Sequence, residues 1–353
     1  MTTSIPIFDG HNDVLLRLYK SKSSDVVSDF LRGEERGHID LKKARAGSFV
    51  GGLFAMYSPP TSDTGSFMRQ MSGGRYAVPL PPPLAIEEAR KSVIGELAIL
   101  TRIERASKGE VAVCKTTAEV RSAIERGKLA VVLHLEGAEA IDGDLNFLEI
   151  LYAAGLRSLG PVWSRNNIFG HGVPFNFPAT PDLGEGLTPA GEKLVHACNE
   201  MKILVDLSHI TEKGFWDVAR LSKAPLVATH SNAHALCPSP RNLTDRQFAA
   251  IRDTQGMVGL NFATCFLRPD GSMTADTEIE LMVSQLDYLI EKLGENHVGL
   301  GSDFDGAVVP EKIGSAAGLP VLVEALRQRG YSGPLLKKLG STNWLDLLER
   351  TIG

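Results

Sequence analysis

Cysteine is scarce in this chain. Its four residues, Cys114, Cys198, Cys237 and Cys265, lie far apart and form no CxxC pair. That argues against a disulfide framework and a thiolate zinc site, and the four read as buried free thiols. Charge of one sign is also thin. The net charge is −5, and no run of five or six like charges occurs. A phosphate-binding footprint, and with it nucleic acid as a partner, is therefore not expected. No stretch of 18 apolar residues is present, so no membrane span is expected. The start, MTTSIPIFDGHND, lacks a basic segment followed by an apolar run, and the end, LLERTIG, carries neither a lipidation box nor a hydrophobic tail. A soluble, reducing, cytoplasmic setting is the expectation. Two motif families are missing as well. Without GxGxxG or GxxxxGK[ST], a nucleotide-binding doubly wound sheet lacks its anchor, and without GxSxG a serine triad is unsupported.

What is present is a globular composition, 43% hydrophobic and 22% charged over 353 residues, enough to bury a large core. Eight short apolar, β-branched runs recur: Ile5–Phe8, Val50–Tyr57, Ala130–Leu135, Ser158–Trp163, Ile203–Leu207, Leu226–Thr229, Met257–Phe262 and His297–Gly301. Several are nearly continuous, such as AVVLHL and MVGLNF, as in strands covered on both faces by helices. Helical patterns lie between them. Pro83–Ala106 and Asp276–Leu293 are long and amphipathic. Thr188–Met201 opens with a Thr N-cap and Pro189, Thr211–Ser222 opens TEKGFW, and Thr244–Thr254 opens with a capping-box pattern ending in Gln247. Alternating β and α with eight strands predicts an α/β fold, the (β/α)8 TIM barrel. We read residues 1–353 as one domain. Two segments rich in Gly, Pro and polar residues, Ser58–Pro83 and Arg165–Leu187, read as loop insertions that rise over the C-terminal face of the barrel.

Polar residues gather at the ends of these strands. His11 and Asp13 close the first, Glu136 follows AVVLHL, His209 follows KILVDL, His230 follows PLVAT, and Asp303 and Asp305 follow VGLGS. Five of the eight strands thus finish in a hard or borderline metal ligand. Helix caps and satisfied core histidines would not place such groups at one end of successive parallel strands. On a barrel those ends converge on the axis, and the set suits two divalent ions of the zinc type. Two cations about 3.5–4 Å apart lower the pKa of a shared water and clamp a polarised carbonyl. Glu136 is the natural bridge, giving one oxygen to each ion, and a spare Asp can pass the proton of the bridging hydroxide to a leaving amine. Other polar residues read as structural. His134 packs inside or hydrogen-bonds. Asp206 orients a histidine, Asp9 orients the first loop, and Asp305 acts as a cap or acceptor. Ser208 is a neighbour of His209. His38, His196, His234 and His297 have no strand-end placement.

The segments DGHND, HLEG, GLRSL, WSRNN, VDLSH, ATHSNAHALCPSPRNLTD, GLGSDFDG and GSTNWL together resemble the membrane dipeptidase (renal dipeptidase, M19) metallopeptidases, a branch of the amidohydrolase-like barrels. They span about residues 8 to 348. The resemblance implies that His11 and Asp13 bind one zinc, that His209 and His230 bind the other, and that Glu136 bridges them. It implies that Asp303 shuttles the proton and that Arg241 holds the substrate's C-terminal carboxylate, for which a guanidinium fork is suited. It also implies a dipeptide as substrate and a possible homodimer. One position departs from the family pattern. Trp163 stands where the family carries a His that polarises the scissile carbonyl, and an indole has only one N–H to donate. Help at that oxygen then falls to the metals, Trp163, Asn166 or Arg165, or to His171 from the long loop. The expected activity is a two-zinc dipeptidase. The alternative is hydrolysis of another small amide, lactam, lactone or phosphoester.

Overall fold

The computed structural model describes residues 4–60 and 69–353. Eight parallel strands build the barrel: β1 (Ile7–Asn12), β2 (Phe49–Tyr57), β3 (Leu129–Glu136), β4 (Leu156–Gly160), β5 (Leu204–Val205), β6 (Val227–Ala228), β7 (Met257–Asn261) and β8 (Val298–Gly301). Each pairs with its sequence neighbour from β1 to β5 and from β6 to β8, and β8 returns to β1. The ring closes where Asp206 bridges Val227 and Leu207 N donates to Val227 O at 2.9 Å. All eight expected strands are there, and their faces are buried as the apolar runs required. The (β/α)8 barrel expected from the alternation is the fold.

Some boundaries differ. The fourth strand was expected over Ser158–Trp163, but β4 ends at Gly160. Pro161 has no N–H to continue the ladder, so Trp163 lies on the loop beyond. The first strand, expected over Ile5–Phe8, runs over Ile7–Asn12, with Pro6 just before it. β5 and β6 are two residues each, so His209 and His230 stand on the turns that follow. A short strand, Val111–Val113, adds to β3 outside the ring.

The caps read from sequence form. Thr188, Thr211 and Thr244 each accept a backbone N–H from the third helical residue, and Thr244 with Gln247 completes a capping box. The described parts of the two insertions meet. Tyr76–Ala77 pairs antiparallel with Asn176–Phe177, and Tyr76 Oη donates to Gly271 O at 3.0 Å. Met273 N donates to Met71 O at 2.9 Å. Loops after β2, β4 and β7 are thus tied together, whereas residues 61–68 of the first insertion lie outside the described residues. The indole of Trp344, from the C-terminal helix Asn343–Thr351, is fully buried and donates to Leu300 O at 2.9 Å. Among the described residues no helix is long and apolar enough to cross a membrane.

Candidate metal centre

Three carboxylates and three imidazoles converge at the C-terminal ends of the strands. Glu136 Oε1 lies 3.5 Å from His11 Nε2, 3.0 Å from His209 Nε2 and 3.5 Å from His230 Nε2. His11 Nε2 lies 3.3 Å from Asp13 Oδ2. Ligand atoms of His11, Asp13 and Glu136 fall within 4.8 Å of one another, and so do those of Glu136, His209 and His230. Glu136 is common to both triples. Asp303 joins a third, with His11 and His230. The residues read from the strand ends are thus brought together. Glycine at 306 permits this approach, because a Cβ there would stand 2.1 Å from Asp13 Oδ2 and 2.7 Å from Asp303 Oδ1.

Neighbouring hydroxyls fix the rings. Ser164 Oγ contacts His209 Nδ1 at 2.9 Å, and Thr229 Oγ1 contacts His230 Nδ1 at 2.9 Å. This leaves the two Nε2 atoms aimed at one place, 3.2 Å apart. Asp206 holds Thr229 by its hydroxyl, at 2.7 Å, and by its backbone N–H, at 2.8 Å. It acts on His230 through that threonine, in the orienting role its position suggested. His134 Nδ1 contacts Ser158 Oγ at 2.8 Å, in line with a packed, bonded histidine. Asp9 accepts from Ser302 N and Oγ at 2.7 and 2.8 Å and so ties β1 to the turn after β8.

The electrostatics ask for cations. Burial, and repulsion from Asp13 and Asp303, push the Glu136 carboxyl well above its ordinary range, although His11 opposes this. Burial and Asp13 push Asp303 upward too. Burial, with Arg241 and the neighbouring imidazoles, drives His209 and His230 well below theirs, which keeps their lone pairs free. Both ring nitrogens of His11 are buried without a hydrogen-bond partner. Burial opposes it, but Glu136 and Asp13 push His11 up to about 10, so these carboxylates draw positive charge; together with two neutral imidazoles and an orphaned ring in so small a space, the set fits divalent metal ions.

A cavity opens over these groups. Asp13, Glu136, His209 and Asp303 form its polar floor, and Tyr57, Trp163, Phe175, Phe266, Met71 and Met273 are among its apolar walls. Trp163 lies 5.7 Å from the His209 ring and 5.2 Å from Tyr57. The alternatives at the missing family histidine now separate. His171 contacts Gly186 O at 3.0 Å and is not among the lining residues. Asn166 Oδ1 accepts from Gly172 N. Arg165 is fully buried and paired with Glu139 at 3.0 Å.

Arg241 is buried too and, like His171, is not among the lining residues of the cavity, but its partners differ from those of Arg165. It donates to Ser208 O, to Ser231 Oγ at 3.2 Å and to His230 O at 3.1 Å. Its Nε has no partner, and among the described residues no carboxylate pairs with it. Sequence reasoning missed the groups that support these candidate residues: Asn261, which donates to Asp303 Oδ2 at 2.9 Å, Ser164, Thr229 and the Glu139–Arg165 pair. Adjacency of Thr229 to His230 was the one available signal, and the others are non-local.

A family model described as membrane dipeptidase (peptidase family M19) matches residues 1–351. A metallopeptidase from Rhodobacter sphaeroides, solved with a phosphinate mimic of the dipeptide L-Ala-D-Ala, is 53% identical with a TM-score of 0.97, covering 99% of this chain and 100% of that one. An uncharacterized protein of Klebsiella pneumoniae, from the pqqA 5' region, is 50% identical over 254 residues, 72% of this chain and 94% of its own. One of Acinetobacter calcoaceticus, from the PQQ-III 3' region, is 40% identical over 289 residues, 82% of this chain and 90% of its own.

Proposed function

We propose that this chain, which belongs to the membrane dipeptidase family (peptidase family M19) and is a metallo-dipeptidase, cleaves small dipeptides with two zinc ions held by His11, Asp13, Glu136, His209 and His230. The observation that carries this is the single Glu136 oxygen within 3.5 Å of three imidazole nitrogens, the place of a bridge. When bound, a pair of divalent ions supplies a nucleophile from a shared water at neutral pH and polarises the scissile carbonyl.

The chain's own residues do the rest. Asp303 carries the proton from that water to the leaving amine. Asn261 fixes its Oδ2 at 2.9 Å, and a carboxylate held there can accept a proton and return it. Arg241 reads the terminal carboxylate. Asp303, Asp206 and Glu136 supply Arg241 with counter-charge at longer range, and the substrate carboxylate would supply a directly paired one. Arg165 already has Glu139 and is not that reader. Trp163 stands as an apolar wall beside His209, which leaves carbonyl polarisation to the metals. The Rhodobacter relative's ligand supports a substrate with small side chains and a D residue at its C-terminal end.

One domain is favoured because the site draws on residues 11 to 303. A reducing, cytoplasmic setting is supported by four free, buried cysteines. The test is metal analysis together with a panel of L,L- and L,D-dipeptides, tripeptides and a phosphodiester. About two zinc ions per chain, with turnover confined to dipeptides, is the expected result. Turnover of the phosphodiester but not of dipeptides would favour the alternative barrel chemistry.

A further inference from the structure

The turn that carries Asp303 is held from outside the cavity. Asp303 and Asp305 both occupy the left-handed region, at φ 58° and 68°, which non-glycine residues seldom adopt. Ties from another part of the chain hold this turn. The Asp305 carboxylate accepts from His38 N at 2.6 Å and Ile39 N at 3.3 Å, and Arg17 Nε lies 3.1 Å from its Oδ1. In return Asp305 N donates to His38 Nδ1 at 2.8 Å. Arg17 also donates to Ile39 O at 2.6 Å and to Glu34. Gly37, at φ 81°, lies against the guanidinium, and a Cβ there would stand 2.4 Å from Arg17 Nε.

Arg17 belongs to the helix Val14–Lys20, which begins directly after Asp13, and its N–H bonds to Asp13 O at 3.1 Å. Two backbone bonds join the same two segments, Asp303 N to His11 O at 3.0 Å and Asp13 N to Phe304 O at 2.8 Å. The Asp305 side chain is 2% exposed and that of Arg17 17%, so the ion pair is largely shielded; removing Arg17 would leave the buried Asp305 carboxylate without its cation, whereas Arg17 also has Glu34.

We infer that Arg17 and Asp305 are positioning residues. Their ion pair clamps the turn after β8 onto the helix that begins beside Asp13, and so fixes the place of Asp303 relative to the ligands. This rests on the reading of Asp303 as the proton carrier. A misplacement of about 1 Å at such a group costs on the order of 100-fold in rate.

The experiment compares Asp305→Asn, Arg17→Met, Arg17→Lys and Asp303→Asn in the metal-loaded enzyme, on a dipeptide and on the matching ester with an acidic leaving alcohol. A leaving amine must be protonated, whereas such an alcohol departs with little help. For Asp305→Asn and Arg17→Met, kcat on the dipeptide falls about 10–100-fold with KM within about two-fold, while the loss on the ester stays under about three-fold. Metal content stays at the parent value, and Arg17→Lys retains most of the rate. Unchanged kcat, an equal loss on both substrates, or loss of metal would each overturn the inference. Where one of Asp305→Asn and Arg17→Met fails to fold, the other carries the same comparison, because each removes one partner of the same ion pair. If Asp303→Asn leaves dipeptide turnover intact, the reading of Asp303 falls instead, a result separate from the outcome at Asp305.

Discussion

Glu136 and Arg241 are both buried charged groups, and they await different partners. Glu136 touches both halves of the ligand set through one oxygen. Glu136→Ala should therefore lower bound zinc from about two ions to one or fewer and cut kcat by about 100–1000-fold, read by metal analysis and steady-state kinetics. Full activity in that variant would refute the two-metal account. Arg241 holds three backbone or side-chain acceptors and keeps Nε unpaired. Arg241→Ala should cost about 10–100-fold in kcat/KM for dipeptides, the scale of a charge-assisted hydrogen bond, with little change for tripeptides. Discrimination by length would then collapse. A preserved dipeptide-to-tripeptide ratio would remove Arg241 from this role.

Secondary elements place these residues, and loop-to-loop ties keep them there. The Glu139–Arg165 pair joins the loops after β3 and β4, and Arg165 also reaches Ser58 O after β2 at 2.8 Å. Glu139→Ala should lower stability by about 3–5 kcal/mol, because it leaves a buried guanidinium unpaired, and denaturant melts would show it. Thr244→Ala, which removes a half-buried capping box, should cost only about 1 kcal/mol. Equal losses would contradict the ranking of a buried ion pair above a helix cap. At this scale the strands were legible because apolar runs of four to eight residues need cover on both faces. Their ends were less so. Pro161 stopped β4 before Trp163, and Val111–Val113 was too short to stand out. The pairing of Tyr76–Ala77 with Asn176–Phe177 joins segments about a hundred residues apart, which no local pattern reports.

The whole barrel brings His11 and Asp303, nearly three hundred residues apart in sequence, into one ligand cluster. Because several carboxylates there repel one another without a cation, metal should stabilise the folded state by mass action. Dialysis against a chelator should abolish activity and lower Tm, and added zinc should restore both, with Tm rising as zinc is raised. Activity that survives with under about 0.1 metal per chain would refute metal dependence. The sequence by itself determined the eight strands, the helix caps and the imidazole and carboxylate types at five strand ends, because local patterning and the ordered alternation of strand and helix set all of these. Only the tertiary structure decided that one Glu136 oxygen lies near three imidazoles, that Arg165 pairs with a carboxylate while Arg241 makes no ion pair among the described residues, and that Asp305 is tied to Arg17. Those are distances between segments far apart in the chain, and closure of the barrel is what fixes them.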